Sequence, residues 1–203
     1  MGIARTSRRG GWWGVAFIVT LAVAAAMVSL PTSAQSGAEI SAFYRAHAAV
    51  ILVQQVLAVV SVVFFLAFAR ALGAGRRRWL LAGTMLVALT ELATNTPPII
   101  LAVSNPTPNE AYALTVVEDL ADAALFISAA VFSVAATIDQ AGWVQVSGLV
   151  VAALSAIRAA ASPFAVTALD FVAPLVFLAL ILILSVRMLI GTMPPGPARP
   201  ANR

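Results

Sequence analysis

Cysteine and lysine are both absent from this 203-residue chain, and histidine occurs once, at His47. Without cysteine there are no disulfides, thiolate metal sites or cysteine nucleophiles. Without lysine there is no amine to form a Schiff base with retinal or pyridoxal. A lone histidine cannot give two axial imidazoles to a haem within one chain, although a haem shared between chains stays open. Glycine-rich phosphate loops, HExxH, GxSxG and EF-hand patterns are missing as well. The sequence therefore identifies no cofactor and no metal-ligand set. Charge is scarce too, at 10% of residues against 62% hydrophobic, whereas soluble domains carry about a quarter charged residues.

What is present is a succession of long apolar runs with short polar connections. Barrel strands would be about 10 residues long and alternate in polarity, so these runs predict helices. The expected fold is an all-α integral membrane protein, a six-helix bundle in one domain. The spans are expected at Trp12 to Leu30, Ala46 to Leu72, Trp79 to Val103, Ala111 to Ile138, Trp143 to Ala160 and Ala168 to Ile190. Trp12, Trp13, Trp79 and Trp143 fall at span ends, where an amphipathic indole prefers the headgroup region. The chain then divides into a basic N-terminal segment (1–11), the transmembrane domain (12–190) and a tail (191–203). Four prolines in that tail, Pro194, Pro195, Pro197 and Pro200, prevent continued helix, so it is expected to be disordered.

Arginine sets the expected orientation. A cytoplasmic N-terminus puts ten arginines inside, including the Arg76 to Arg78 cluster, and leaves only Arg45 and Arg158 on the other side. That is a strong positive-inside bias, and six spans return the C-terminus to the cytoplasm. The formal charge of +4 therefore reports contact with an anionic leaflet and not a nucleic-acid surface. Arg8, Arg9 and the following apolar run resemble a secretory signal. The run to Leu30 is longer than the usual signal core, which favours a retained helix; cleavage would leave five.

With this topology, seven of the eight acidic residues fall in one half of the bilayer, opposite the arginine-rich half. Charge at membrane depth is expensive, so its clustering is the principal functional clue. On the second span, His47 and Gln54 are seven residues apart and share a face. Tyr44 and Arg45 read as interfacial anchors, and Gln54 and Gln55 as interhelical hydrogen-bonding groups. On the third, Glu91 and Asn95 lie one turn apart and precede Pro97 and Pro98. Those prolines are expected to leave carbonyls near Ala93 and Thr94 without helical partners, unless threonine hydroxyls or a neighbouring helix satisfy them.

The fourth span carries Glu118, Asp119 and Asp122. Glu118 and Asp122 are four residues apart on one face, where like charges repel unless a cation intervenes. Asp122 lies roughly 16 Å from a helix start at Ala111, at 1.5 Å per residue, too deep for an ordinary solvated charge run. Arg158 and Asp170 complete the set, with Pro163 and Pro174 flanking their connection. Arg158 is the natural counter-ion for Asp122, Glu118 or Asp170, and such a bridge needs no ligand. One arginine still cannot neutralise all these acids. The opposite halves of the helices are nearly featureless, which argues against a channel or carrier and for a cavity with a sealed base. A weak repeat at 68 positions aligns Tyr44, Gln54, Val63 and Phe64 with Tyr112, Asp122, Val131 and Phe132.

The entry Ala42-Phe43-Tyr44-Arg45-Ala46-His47, the arginine turn before Trp79, the stretch Asp119 to Phe126 and the Gly142-Trp143 turn resemble a family of small actinobacterial multi-helix membrane proteins of unknown function. The resemblance spans residues 38 to 190. It implies a multi-pass protein of a bacterial plasma membrane and assigns no catalytic residue.

Three functional readings follow. The first is a polar pocket, formed by the second to sixth helices and facing the extracytoplasmic side. It would bind a small cationic or hydroxyl-bearing ligand, or protons, through Glu91, Asn95, Glu118, Asp122 and Gln54. His47 would stand at its mouth, and Arg158 and Asp170 would form the internal ion pair. The second is a non-catalytic accessory subunit whose polar residues pair with a membrane-protein partner or a second copy. The third is an intramembrane enzyme using Glu118 and Asp122 as acid and base, although no nucleophile accompanies them.

Overall fold

The computed structural model describes residues 2–73, 77–140, 142–162 and 168–191, and among them no strand occurs. Six helices run as α1 (Gly2–Met27), α2 (Gly37–Leu72), α3 (Arg78–Ser104), α4 (Pro108–Thr137), α5 (Trp143–Ala161) and α6 (Ala168–Ile190). All six are long and apolar enough to cross a membrane, which is the architecture of a multi-pass membrane protein. Helices α3 to α6 match the expected spans to within a few residues. Two differ by more: α1 begins ten residues before Trp12, and α2 begins nine residues before Ala46. Arg76, Pro163 and the proline-rich tail from residue 192 onward lie outside the described residues.

The early start of α2 has a local cause. Ser36 caps it, its hydroxyl accepting from the Glu39 amide at 3.4 Å while the Glu39 carboxylate accepts from the Ser36 amide at 2.9 Å. Thr107 and Glu110 repeat this reciprocal cap on α4, with Pro108 in the first helical position. Each box satisfies orphan donors of the first turn. Two of the clustered acids are thereby capping groups.

Each helix packs against its sequence neighbours, α1 also packs on α6, and α2 touches α4 inside the ring. In lipid no hydrophobic force draws such helices together, so close backbone approach has to do so. Gly83 supplies it between α3 and α4, where an added Cβ would stand 2.9 Å from Phe132 Cα. Gly148 does the same between α5 and α4, lying directly against the Thr137 side chain. All four tryptophans are exposed, and they sit toward the arginine-rich end of the bundle.

Two apolar clusters are stacked along the bundle. The larger joins Phe17, Phe65, Phe132, Phe177 and their neighbours toward the arginine-rich end. The smaller joins Ile40, Tyr44, Ile51, Leu101 and Ala111 toward the acidic end. In the arginine-rich half, the buried hydroxyls of Ser61, Thr84, Ser133, Thr137 and Ser185 all donate to carbonyls of their own helices. They add no polar path through that half. Asp139, the one acid at that end, pairs with Arg77 at 3.2 Å.

Candidate functional site

Between the two clusters lies a cavity of about 320 Å³. Gln54 and Gln55 of α2, Glu91, Thr94 and Asn95 of α3, and Glu118 and Asp122 of α4 line it together. Five of the residues expected in a pocket, Gln54, Glu91, Asn95, Glu118 and Asp122, therefore share one space. Glu91, Glu118 and Asp122 are each half-buried. On α2 and α4 the lining runs from Gln54 to Phe65 and from Glu118 to Ala129, roughly 16 Å of helix at 1.5 Å per residue. The cavity is thus drawn out along the bundle, polar at one end and apolar at the other.

The apolar end is built from Phe17, Val62, Phe65, Ala129 and Phe177. Phe17 and Phe65 lie 5.3 Å apart between centroids, and Phe132 extends the stack behind Phe65 at 4.9 Å. These rings close the cavity toward the arginine-rich half. Sequence reasoning missed them because aliphatic and aromatic residues occur on every face of a membrane helix. It also assigned the walls to α2 through α6. In fact α1 supplies Phe17, Leu21, Ala24 and Ala25, while α5 contributes no lining side chain.

Arg158, from α5, approaches Asp122 from outside the cavity. Its Nη2 donates to Asp122 Oδ2 at 3.3 Å, and its Nε lies 2.6 Å from Asp170 Oδ1 as an ion pair whose N–H is not aligned for a hydrogen bond. Its guanidinium also stands 5.2 Å over the Phe126 ring. Of the three expected partners, Arg158 takes Asp122 and Asp170 but not Glu118. One side chain thereby ties α4, α5 and α6 together.

Tyr44 is not an interfacial anchor. It is fully buried, and its hydroxyl donates to Glu118 Oε2 at 3.4 Å. His47 does not stand at the cavity mouth either: it is exposed, its Nδ1 lies 3.0 Å from the Phe43 carbonyl and its ring stacks on Phe43. The reason lies in α1. Gln54 Nε2 donates to Val28, the first residue beyond the end of α1, at 3.2 Å. His47 is two turns farther along α2, about 10 Å past that point, where its side chain is exposed.

The paired prolines leave α3 continuous from Arg78 to Ser104. They lack amide hydrogens, so the carbonyls of Ala93 and Thr94 lose their usual donors. The neighbouring hydroxyls do not replace these: Thr90 donates to Leu86 and Val87, Thr94 to Glu91 and Thr96 to Leu92. Asn95 donates through Nδ2 to the Glu91 carbonyl. Thr94 lines the cavity beside them.

The acids of this end can now be assigned. Glu39 and Glu110 cap helices, and Asp119 accepts the Ser33 amide at 3.0 Å, pinning the α1–α2 connection to α4. Asp122 and Asp170 share Arg158. Glu91 and Glu118 remain, and among the described residues neither has a cationic partner. Gln54, itself only 9% exposed, has a carbonyl oxygen with no donor among the described residues. The repeat is only partly visible in burial: Gln54 and Asp122 both line the cavity, but Tyr44 is buried where Tyr112 is exposed.

A six-helix bundle enclosing an acidic, elongated cavity is the class of protein that fold and site define. Among the described residues no group of three or more histidine, cysteine or acidic side chains is placed to hold a metal ion. No protein family matches the sequence, and no curated protein or solved structure is similar to it.

Proposed function

We propose that the protein is a multi-pass protein of a bacterial plasma membrane whose intramembrane cavity binds a small cationic or hydroxyl-bearing ligand, or protons, from the extracytoplasmic side. The observation that carries this reading is the convergence of Gln54, Glu91, Asn95, Glu118 and Asp122 on one cavity in which, among the described residues, two carboxyls lack a cation. Buried polar groups left without partners are costly, and a ligand that supplies donors or positive charge relieves that cost. The orphan carbonyl oxygen of Gln54 adds an acceptor of the same kind. The positive-inside distribution of arginine supports both termini being cytoplasmic, with the acidic end outward.

An accessory subunit would turn such groups toward a partner's helices. Their inward placement favours the pocket. The aromatic closure at the arginine-rich end supports binding over conduction.

The test is thermal stability of the detergent-purified protein across inorganic cations, small ammonium ions, polyols and pH. The wild type is expected to gain stability with at least one ligand or with pH, and Glu118→Gln, which removes a cavity carboxyl outside the Arg158 pairs, to diminish that gain. Stabilisation unchanged in the variant would sink the assignment.

A further inference from the structure

Resting on the pocket reading, we infer that the occupant is an organic monocation with an apolar body, an amphiphilic ammonium compound, and not an inorganic ion or a polyol. Three features of the cavity require different things of its ligand. The polar end holds Glu91 and Glu118, which have no counter-ion among the described residues, so it favours positive charge. The unpartnered Gln54 oxygen, on a side chain only 9% exposed, accepts a donor or faces a positively charged surface. Extending from these groups, the space continues for about three helical turns into walls of Phe17, Phe65 and Phe177 that offer no polar atom to a ligand.

A hydrated metal ion would fill only the polar end and leave the apolar end unused. Among the described residues no cluster of ligating side chains is set to strip its water. A polyol would bring hydroxyls against phenylalanine rings, where they would lose their hydrogen bonds. An ammonium head with a hydrocarbon body matches both ends, with the head near the carboxylates and the body against the rings, whose faces also favour a nearby cation. A volume of about 320 Å³ is at the lower end of small-molecule pockets, which suits a single ring or short chain.

Arg158 fits this division of labour. It already covers Phe126 and neutralises Asp122 from outside the cavity. The carboxyls left to the ligand are therefore Glu91 and Glu118, which among the described residues have no cationic partner.

The experiment uses the full chain in phosphatidylcholine nanodiscs, with calorimetric titration of three probes and empty discs subtracted. The probes are benzyltrimethylammonium, tetramethylammonium and benzyl alcohol. Benzyltrimethylammonium is expected to bind about tenfold or more tightly than either of the others, since the first shares only its head and the second only its body. Glu118→Gln is expected to weaken both ammonium probes by about tenfold, and Phe177→Leu to weaken only the benzylated one. Equal binding of the two ammonium ions would overturn the apolar-body inference and leave a cation pocket standing. Benzyl alcohol binding as tightly as its cationic counterpart would overturn the cation inference and leave a hydroxyl-binding pocket standing. Binding of none of the probes would overturn the amphiphilic-ammonium inference, and the pocket reading falls with it only if the cation, polyol and pH series also fails to stabilise the wild type. The comparison among probes is made on the wild type, so it holds even if a variant does not fold.

Discussion

Replacing Arg158 with leucine removes a cation of α5 that α4 and α6 share. The Arg158 side chain is 13% exposed, and its partners Asp122 and Asp170 are 37% and 44% exposed. A fully buried pair broken from one side costs about 3–5 kcal/mol, and an exposed pair contributes about 0–1 kcal/mol. With a buried arginine and half-exposed carboxylates, the expected loss lies between these limits, at about 2 kcal/mol, or roughly thirtyfold in the folding equilibrium. Part of the loss is the contact with Phe126, 5.2 Å from the guanidinium, which is worth about 0.5–1 kcal/mol at a partly solvated site. The remainder comes from two carboxylates left without a counter-ion in an apolar bundle. Removing them as well, in the triple variant Arg158→Leu, Asp122→Leu, Asp170→Leu, should recover most of the stability, because no charge is then left uncompensated. The assay is reversible unfolding in mixed micelles, with the wild type, single and triple variants measured in parallel. A single variant within about 0.5 kcal/mol of wild type, or a triple variant no more stable than the single one, would refute the argument that this ion triad holds three helices together.

Close packing and capping give two further expectations. Gly148→Ala sets a methyl group against Thr137, whose Cβ would be 2.7 Å away; overpacking of this kind should cost about 1–3 kcal/mol, read as a lowered unfolding midpoint, with Thr137→Ala restoring part of it. Ser36→Ala and Thr107→Ala each remove a reciprocal cap and should each cost about 1 kcal/mol. Gly37, beside Ser36, packs directly on the Pro108 backbone, beside Thr107, so the two caps are neighbours and the double variant is expected to depart from additivity; a strictly additive double variant in unfolding titrations would refute that coupling.

Much of the architecture was legible in the chain itself. Composition and the length of the apolar runs were enough for six membrane-length helices, since an unsatisfied backbone in lipid leaves few alternatives. Periodicity within a helix was enough to put Glu118 and Asp122 on one face, and burial of charge was enough to predict an arginine partner for Asp122. The cap boxes were legible in principle from Ser36 to Glu39 and Thr107 to Glu110, a serine or threonine three residues before a glutamate, but both lie ahead of the expected span starts at Ala46 and Ala111.

Relations between helices were a different matter. Sequence spacing placed His47 and Gln54 on one face of α2, and only the end of α1 at Met27 separated them into an exposed residue and a cavity wall. Tyr44 looked like an anchor until the packing of α2 on α4 carried its hydroxyl to Glu118. The ring closure that brings α1 beside α6 added Phe17 to a cavity that no local pattern marked as aromatic. The sequence by itself determined that this chain forms membrane-length helices and that its acids gather at one end, because both follow from solvation along the chain. Which of those acids are caps, which are paired and which face an open space was decided only by tertiary structure. Such pairing depends on distances between helices, and apolar surfaces alike on every side do not encode their neighbours.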